Sequence, residues 1–111
     1  MAFYDLRLGR AEDPKFKWEG GDFNGNIPTT IIDFGSVGGL SGCAEARRLL
    51  ESPKYGGRVL DWGASGAKLS KVRVIEFLTE FYSDEQQRSH LLRKLDVLTD
   101  DQTYLLFACE Q

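Results

Sequence analysis

The stretch TYLLFAC, residues 103–109, is apolar on both of its alternations. Tyr104, Leu106 and Ala108 fall on one side, and Leu105, Phe107 and Cys109 on the other. Successive side chains of an extended strand point to opposite faces, so a segment with no polar face has both faces covered. Such a strand belongs inside a sheet rather than at its rim. The C-terminal segment is therefore expected to be central, and the rest of the chain reads as what surrounds it.

The natural neighbour is the N-terminal segment, residues 2–8. There Tyr4, Leu6 and Leu8 alternate with Phe3, Asp5 and Arg7, the period of a half-buried strand. Residues 15–19 alternate again, with Phe16 and Trp18 inward, which predicts a second strand in a hairpin with the first. Glycines, asparagines and Pro28 fill residues 20–28 with turn chemistry, and the β-branched residues 29–34 predict a third strand. Residues 58–62 suit a further short strand, and Gly63-Ala64-Ser65-Gly66 reads as a turn.

Three segments carry helical character. Residues 43–50 favour a short helix closed by Ser52-Pro53. Ser70 is a suitable N-cap for a helix to Tyr82, in which Val74, Ile75, Leu78, Phe81 and Tyr82 share one face. Ser83 with Gln86 fits a capping box, Asp84 places a negative charge where the helix dipole favours it, and Leu91, Leu92, Leu95 and Leu98 give a third helix an apolar face as far as Thr99. The expectation is one α+β domain over residues 1–111. It has a mostly antiparallel sheet of about four strands, two to three helices packed largely on one face, and the order β-β-β-α-(β)-α-α-β.

Composition narrows the function classes. With 41% hydrophobic and 28% charged residues in 111, the chain is an ordinary globular protein that can bury a core without a metal or disulfide staple. Fourteen Lys and Arg stand against seventeen Asp and Glu, a net charge of -3, so the mean field repels nucleic acid. No window approaches a membrane span, and the N-terminus lacks the basic and continuous apolar regions of an export signal. Cys43 and Cys109 fit no zinc or C-x-x-C spacing, which points to reduced thiols in a cytoplasmic setting.

Four candidate sites follow. Gly35, Gly38, Gly39 and Gly42 lie between a predicted strand and a predicted helix, the setting in which backbone N–H groups and a helix dipole hold phosphate. Their spacing matches neither G-x-G-x-x-G nor G-x-x-x-x-G-K-[ST], which favours a loop that needs positive φ angles. Cys43 at the first turn of a helix would be a more acidic thiol, with His90, the one histidine, as its base. Gly63-Ala64-Ser65-Gly66 falls one residue short of a nucleophile elbow, and no ligand cluster for a metal or cofactor is present.

The fourth candidate is a surface. Glu12, Asp13, Glu19 and Asp22 in the first part, and Asp84, Glu85, Asp100 and Asp101 in the last, would draw a basic partner. Trp18, Trp62 and Tyr55 beside turn residues could anchor an interface. The leading expectation is a small acidic protein-binding domain, of the inhibitor or immunity type, that covers a basic target such as a nuclease. The alternative is a small enzyme or ligand-binding domain using the 35–42 loop and Cys43.

Overall fold

The computed structural model describes residues 4–11, 29–37, 39–61 and 64–110. The elements in chain order are β1 (Tyr4–Arg10), β2 (Thr30–Ser36), α1 (Gly39–Leu50), β3 (Arg58–Asp61), β4 (Ala64–Ser70), α2 (Lys71–Phe81), α3 (Glu85–Arg93), a 3₁₀ helix (Lys94–Val97) and β5 (Thr103–Glu110). The strands form one antiparallel sheet in the order β2-β1-β5-β4-β3. This is the expected α+β class, with five strands rather than about four.

β5 is central, as its two-sided apolar pattern requires. It pairs with β1 from Tyr4↔Glu110 to Arg10↔Tyr104 and with β4 from Ser65↔Ala108 to Ser70↔Thr103. Alternation turns Tyr104, Leu106 and Ala108 toward the helices, where they join Leu6, Leu8, Ile32, Phe34, Ala67 and Leu69 in one core. Leu105 and Phe107 face the other way and are fully buried as well. Also on that outer face, Arg7 pairs with Asp5 at 3.2 Å and with Asp33 at 3.6 Å.

The predicted hairpin between the first strand and residues 15–19 is not formed. β1 is flanked by β2 and β5, so neither of its edges is left for another partner. Residues 15–19 themselves lie outside the described residues. The second correction is β4, which takes in Ala64, Ser65 and Gly66 of the stretch read as a turn, Gly63 lying outside the described residues. Its small residues permit close packing: Ser65, Gly66 and Ala67 are all buried. The Ser65 hydroxyl accepts from Arg47 Nε at 3.0 Å and donates to Glu51 Oε2 at 3.1 Å, which ties β4 to α1. A serine so satisfied can sit in a buried strand.

The helices cover one face of the sheet. Cys43, Ala46 and Leu50 of α1, Val74, Phe77 and Leu78 of α2, Leu91 of α3 and Leu95 of the 3₁₀ helix share the core with the strands. α2 has the predicted Ser70 cap, whose hydroxyl accepts from Arg73 N at 3.4 Å. α3 is capped by Asp84 rather than Ser83: Gln87 N donates to Asp84 Oδ1 at 2.9 Å. The carboxylate is the better acceptor at the positive end of a helix. Beyond Arg93 the helix tightens into the 3₁₀ form and ends at Val97, short of Thr99.

Candidate functional site: the acidic α3–β5 connection

The connection from α3 to β5 is built by alternate pinning and release. Leu91, Leu95 and Leu98 follow the i, i+4, i+7 spacing of an apolar stripe and are buried. Leu98 N closes the 3₁₀ helix by donating to Leu95 O at 2.9 Å. One residue later, Thr99 N donates to the hydroxyl of Tyr104 at 2.8 Å, and that ring is itself buried in β5. From the side, Lys71 Nζ donates to Leu98 O at 3.4 Å, joining the start of α2 to the same segment.

What is not pinned faces solvent. Asp96, Val97, Asp100 and Asp101 are exposed, and Val97 at 70% is the most exposed large hydrophobic among the described residues. None of the three carboxylates has an ion-pair partner among the described residues. The backbone that carries them is held by hydrogen bonds and buried leucines. A partner meeting it would therefore lose little to ordering this segment.

Asp100 and Asp101 were legible in the sequence as acidic residues in a turn. Asp96 and Val97 were not singled out, although a signal was present: Val97 is an apolar residue off the Leu91-Leu95-Leu98 stripe. Glu12, Asp13, Trp18, Asp22, Glu19 and Trp62 lie outside the described residues. Asp84 and Glu85 are exposed at the start of α3, with Asp84 engaged as the cap. Tyr55 is no surface anchor, being buried with its hydroxyl donating to Glu80 Oε1 at 2.7 Å.

The glycine stretch has a structural explanation at two positions. Gly35 adopts φ +88°, a left-handed conformation that glycine accepts readily, and its N–H donates to Asp33 Oδ1 at 2.8 Å. At Gly42 an added Cβ would stand 1.5 Å from the carbonyl oxygen of Val37, so only glycine admits that approach. Gly39 and Gly42 belong to the start of α1, one turn earlier than predicted, and Gly38 lies outside the described residues.

The earlier helix start moves Cys43 away from the first turn and into the core at 3% exposure. Burial pushes its thiol up from the ordinary value, and the Arg47 charge opposes this only in part. A buried thiol with a raised pKa is the reverse of an activated nucleophile. His90 is exposed on α3, beside Glu85, Gln86, Ser89 and Arg93 around a shallow concavity of about 440 Å³. The sulfur faces the sheet and the imidazole faces solvent, so the fold does not bring the pair together. Ser65 is fully buried in β4 and unavailable as a nucleophile.

A second concavity, about 350 Å³ between α1 and α2, is lined by Glu45, Arg48, Leu49, Ser52, Glu80 and Phe81. Of its three charged lining residues Glu80 is engaged, while Glu45 and Arg48 are exposed with no ion pair among the described residues. Lys54 hydrogen-bonds Glu80 and pairs with Glu76 at 3.2 Å, and Arg73 reaches Glu76 at 2.8 Å. The Lys54 ammonium holds both carboxyls below the usual range, helped at Glu80 by Tyr55 and at Glu76 by Arg73. This cluster clips the α1–β3 connection to α2; exposed carboxylates without an ion pair among the described residues include Glu45 on α1 and Glu85 on α3 besides Asp96, Asp100 and Asp101 on the α3–β5 connection.

Among the described residues no group of three or more His, Cys, Asp or Glu is gathered as a metal would require, and no helix is long and apolar enough to cross a membrane. Comparison with known proteins finds no matching family model, curated protein or solved structure.

Proposed function

We propose that this chain is a protein-binding domain of the inhibitor or immunity type, acting in the cytoplasm, whose acidic α3–β5 connection covers a basic target such as a nuclease. The observation that carries the reading is the set of exposed carboxylates Asp96, Asp100 and Asp101, none in an ion pair among the described residues, on a backbone pinned by Leu95, Leu98 and Tyr104. In water each favourable charge contact is worth about 1 kcal/mol at close range, so three of them chiefly speed and orient encounter. The net charge of -3 acts in the same direction.

The test is titration calorimetry and enzyme inhibition against a panel of basic nucleases, at low and high salt. Binding should weaken as salt rises, and Asp100→Lys with Asp101→Lys should weaken it about tenfold or more, equivalent to about 1.4 kcal/mol, with an unchanged thermal midpoint. Salt-independent binding, or binding indifferent to the charge reversal, would overturn the reading.

A further inference from the structure

We propose that the concavity between α1 and α2 is a binding site for a free α-amino acid with an apolar side chain. The inference stands apart from the basic-partner reading, since it uses neither the α3–β5 connection nor the net charge.

The space is about 350 Å³, at the small end of the range for small-molecule sites. Glu45, Arg48, Leu49 and Ser52 follow the i, i+3, i+4, i+7 spacing and so share one side of α1 and the turn after it. Cys43, Ala46 and Leu50 take the other side into the core. Across the space α2 contributes Glu80 and Phe81. Leu49 and Phe81 are half-buried against the core and give the site an apolar floor. The Phe81 ring is held from behind, stacked on Phe77 at 5.7 Å and edge-on to Tyr82 at 4.9 Å. A floor fixed in this way loses little on binding.

The polar groups around that floor carry both signs. Glu45 and Arg48 stand three residues apart on one helix face, the spacing of an ion pair, yet neither is in one among the described residues. Glu80 accepts from Lys54 and from the Tyr55 hydroxyl, both at Oε1, so Oε2 carries no bond to another described residue. Through Lys54 the group extends to Glu76 and Arg73. Three cations (Arg48, Lys54 and Arg73) thus stand with three carboxylates (Glu45, Glu76 and Glu80). Arg47 and Glu51, the other charges at this end of α1, are bonded to Ser65 of β4. Beyond Phe81, Arg88 bonds the Tyr82 carbonyl and Asp84 caps α3, again one charge of each sign.

This balance selects the ligand. A phosphate or a polycation would meet as many like charges as opposite ones. A zwitterion sets each of its charges against the opposite one. The planar guanidinium of Arg48 suits a carboxylate, Glu45 and Glu80 suit an ammonium, and Leu49 with Phe81 suits an apolar side chain.

The test titrates L-leucine into the whole chain, followed by amide NMR and calorimetry. Leucinamide, which lacks the carboxylate, N-acetyl-leucine, which lacks the ammonium, and glycine, which lacks the side chain, are the comparison probes. Leucine should shift the amides of Glu45, Arg48, Leu49 and Phe81 and saturate, and each comparison probe should bind about fivefold or more weakly. Arg48→Gln should weaken leucine about fivefold and leave leucinamide unchanged, and Glu45→Gln should weaken leucine and leave N-acetyl-leucine unchanged, because each variant removes a contact that the probe already lacks. Both side chains are exposed and unpaired, so an unchanged thermal midpoint is expected for each variant.

No saturable shift with leucine, or equal binding of leucine, leucinamide and N-acetyl-leucine, would overturn the inference. Tighter binding of leucinamide or of N-acetyl-leucine than of leucine would also overturn it, making the concavity a site for a single charge. Asp100→Lys with Asp101→Lys should leave leucine binding unchanged, so this inference and the basic-partner reading stand or fall separately.

Discussion

Tyr55 and Tyr82 stand at the two ends of one aromatic ladder. Tyr55 meets Phe77 edge-on at 5.4 Å, Phe77 stacks on Phe81 at 5.7 Å, and Phe81 meets Tyr82 edge-on at 4.9 Å. Both rings are buried, yet their hydroxyls differ: that of Tyr55 donates to Glu80, and that of Tyr82 has no hydrogen-bond partner among the described residues. Tyr55→Phe should therefore cost about 1 kcal/mol, whereas Tyr82→Phe should be neutral or stabilising, as urea unfolding would show. Burial first, then the Glu80 bond at Tyr55 and the Asp5 charge at Tyr82, pushes both phenols up to about 12. A phenol raised in the folded state keeps its proton where the unfolded chain has lost it. Its contribution is thus complete below about pH 10 and lost as pH rises toward 12. Unfolding at about pH 9 and pH 11 should show that loss, with a shallower decline in Tyr82→Phe. The periodicity of α2 placed Phe81 and Tyr82 on its apolar face and left out Phe77, which is fully buried while Phe81 is half-buried; which hydroxyl finds a carboxylate depends on Tyr55 and Glu80 meeting from different elements.

At the scale of elements, the helices were the legible part. A 3.6-residue period and a cap are local properties, and so α2 falls within a residue of its expected bounds with Ser70 as its cap. The start of α3 shows the resolution limit of such signals, since Ser83 and Asp84 are both good caps and adjacent. The bond from Gln87 N to Asp84 Oδ1 decides between them. Asp84→Ala should cost about 1 kcal/mol in denaturant unfolding, and Ser83→Ala close to nothing. The start of α1 and the existence of β4 were less legible for one shared reason. Gly42, Ser65 and Gly66 look like turn residues by composition, but they are small because a carbonyl, a neighbouring strand or a helix packs against them. Composition reports the smallness of a residue and not its cause.

At the scale of the molecule, the sheet order follows from β5. Paired on both edges and buried on both faces, its amides at residues 105–108 should exchange with solvent only on global unfolding. Native-state hydrogen exchange should find them slower than the outer strands β2 and β3; equal rates would show that the sheet opens in pieces. The candidate site is likewise a product of assembly: the sequence marked Asp100 and Asp101, and the segment that leads to them is held where Thr99 N meets the Tyr104 hydroxyl and Lys71 reaches the Leu98 carbonyl.

From its sequence alone this chain is committed to a two-sided apolar C-terminal strand, amphipathic second and third helices and a negative mean field. Each of these is a periodicity or a sum, and neither needs a contact to be counted. Tertiary structure decided the neighbours of β1, the strand character of residues 64–70, the burial of Cys43 away from His90 and the meeting of Lys71 with Leu98. Each of these depends on residues far apart in the chain approaching within a few ångströms, and no local pattern encodes that approach.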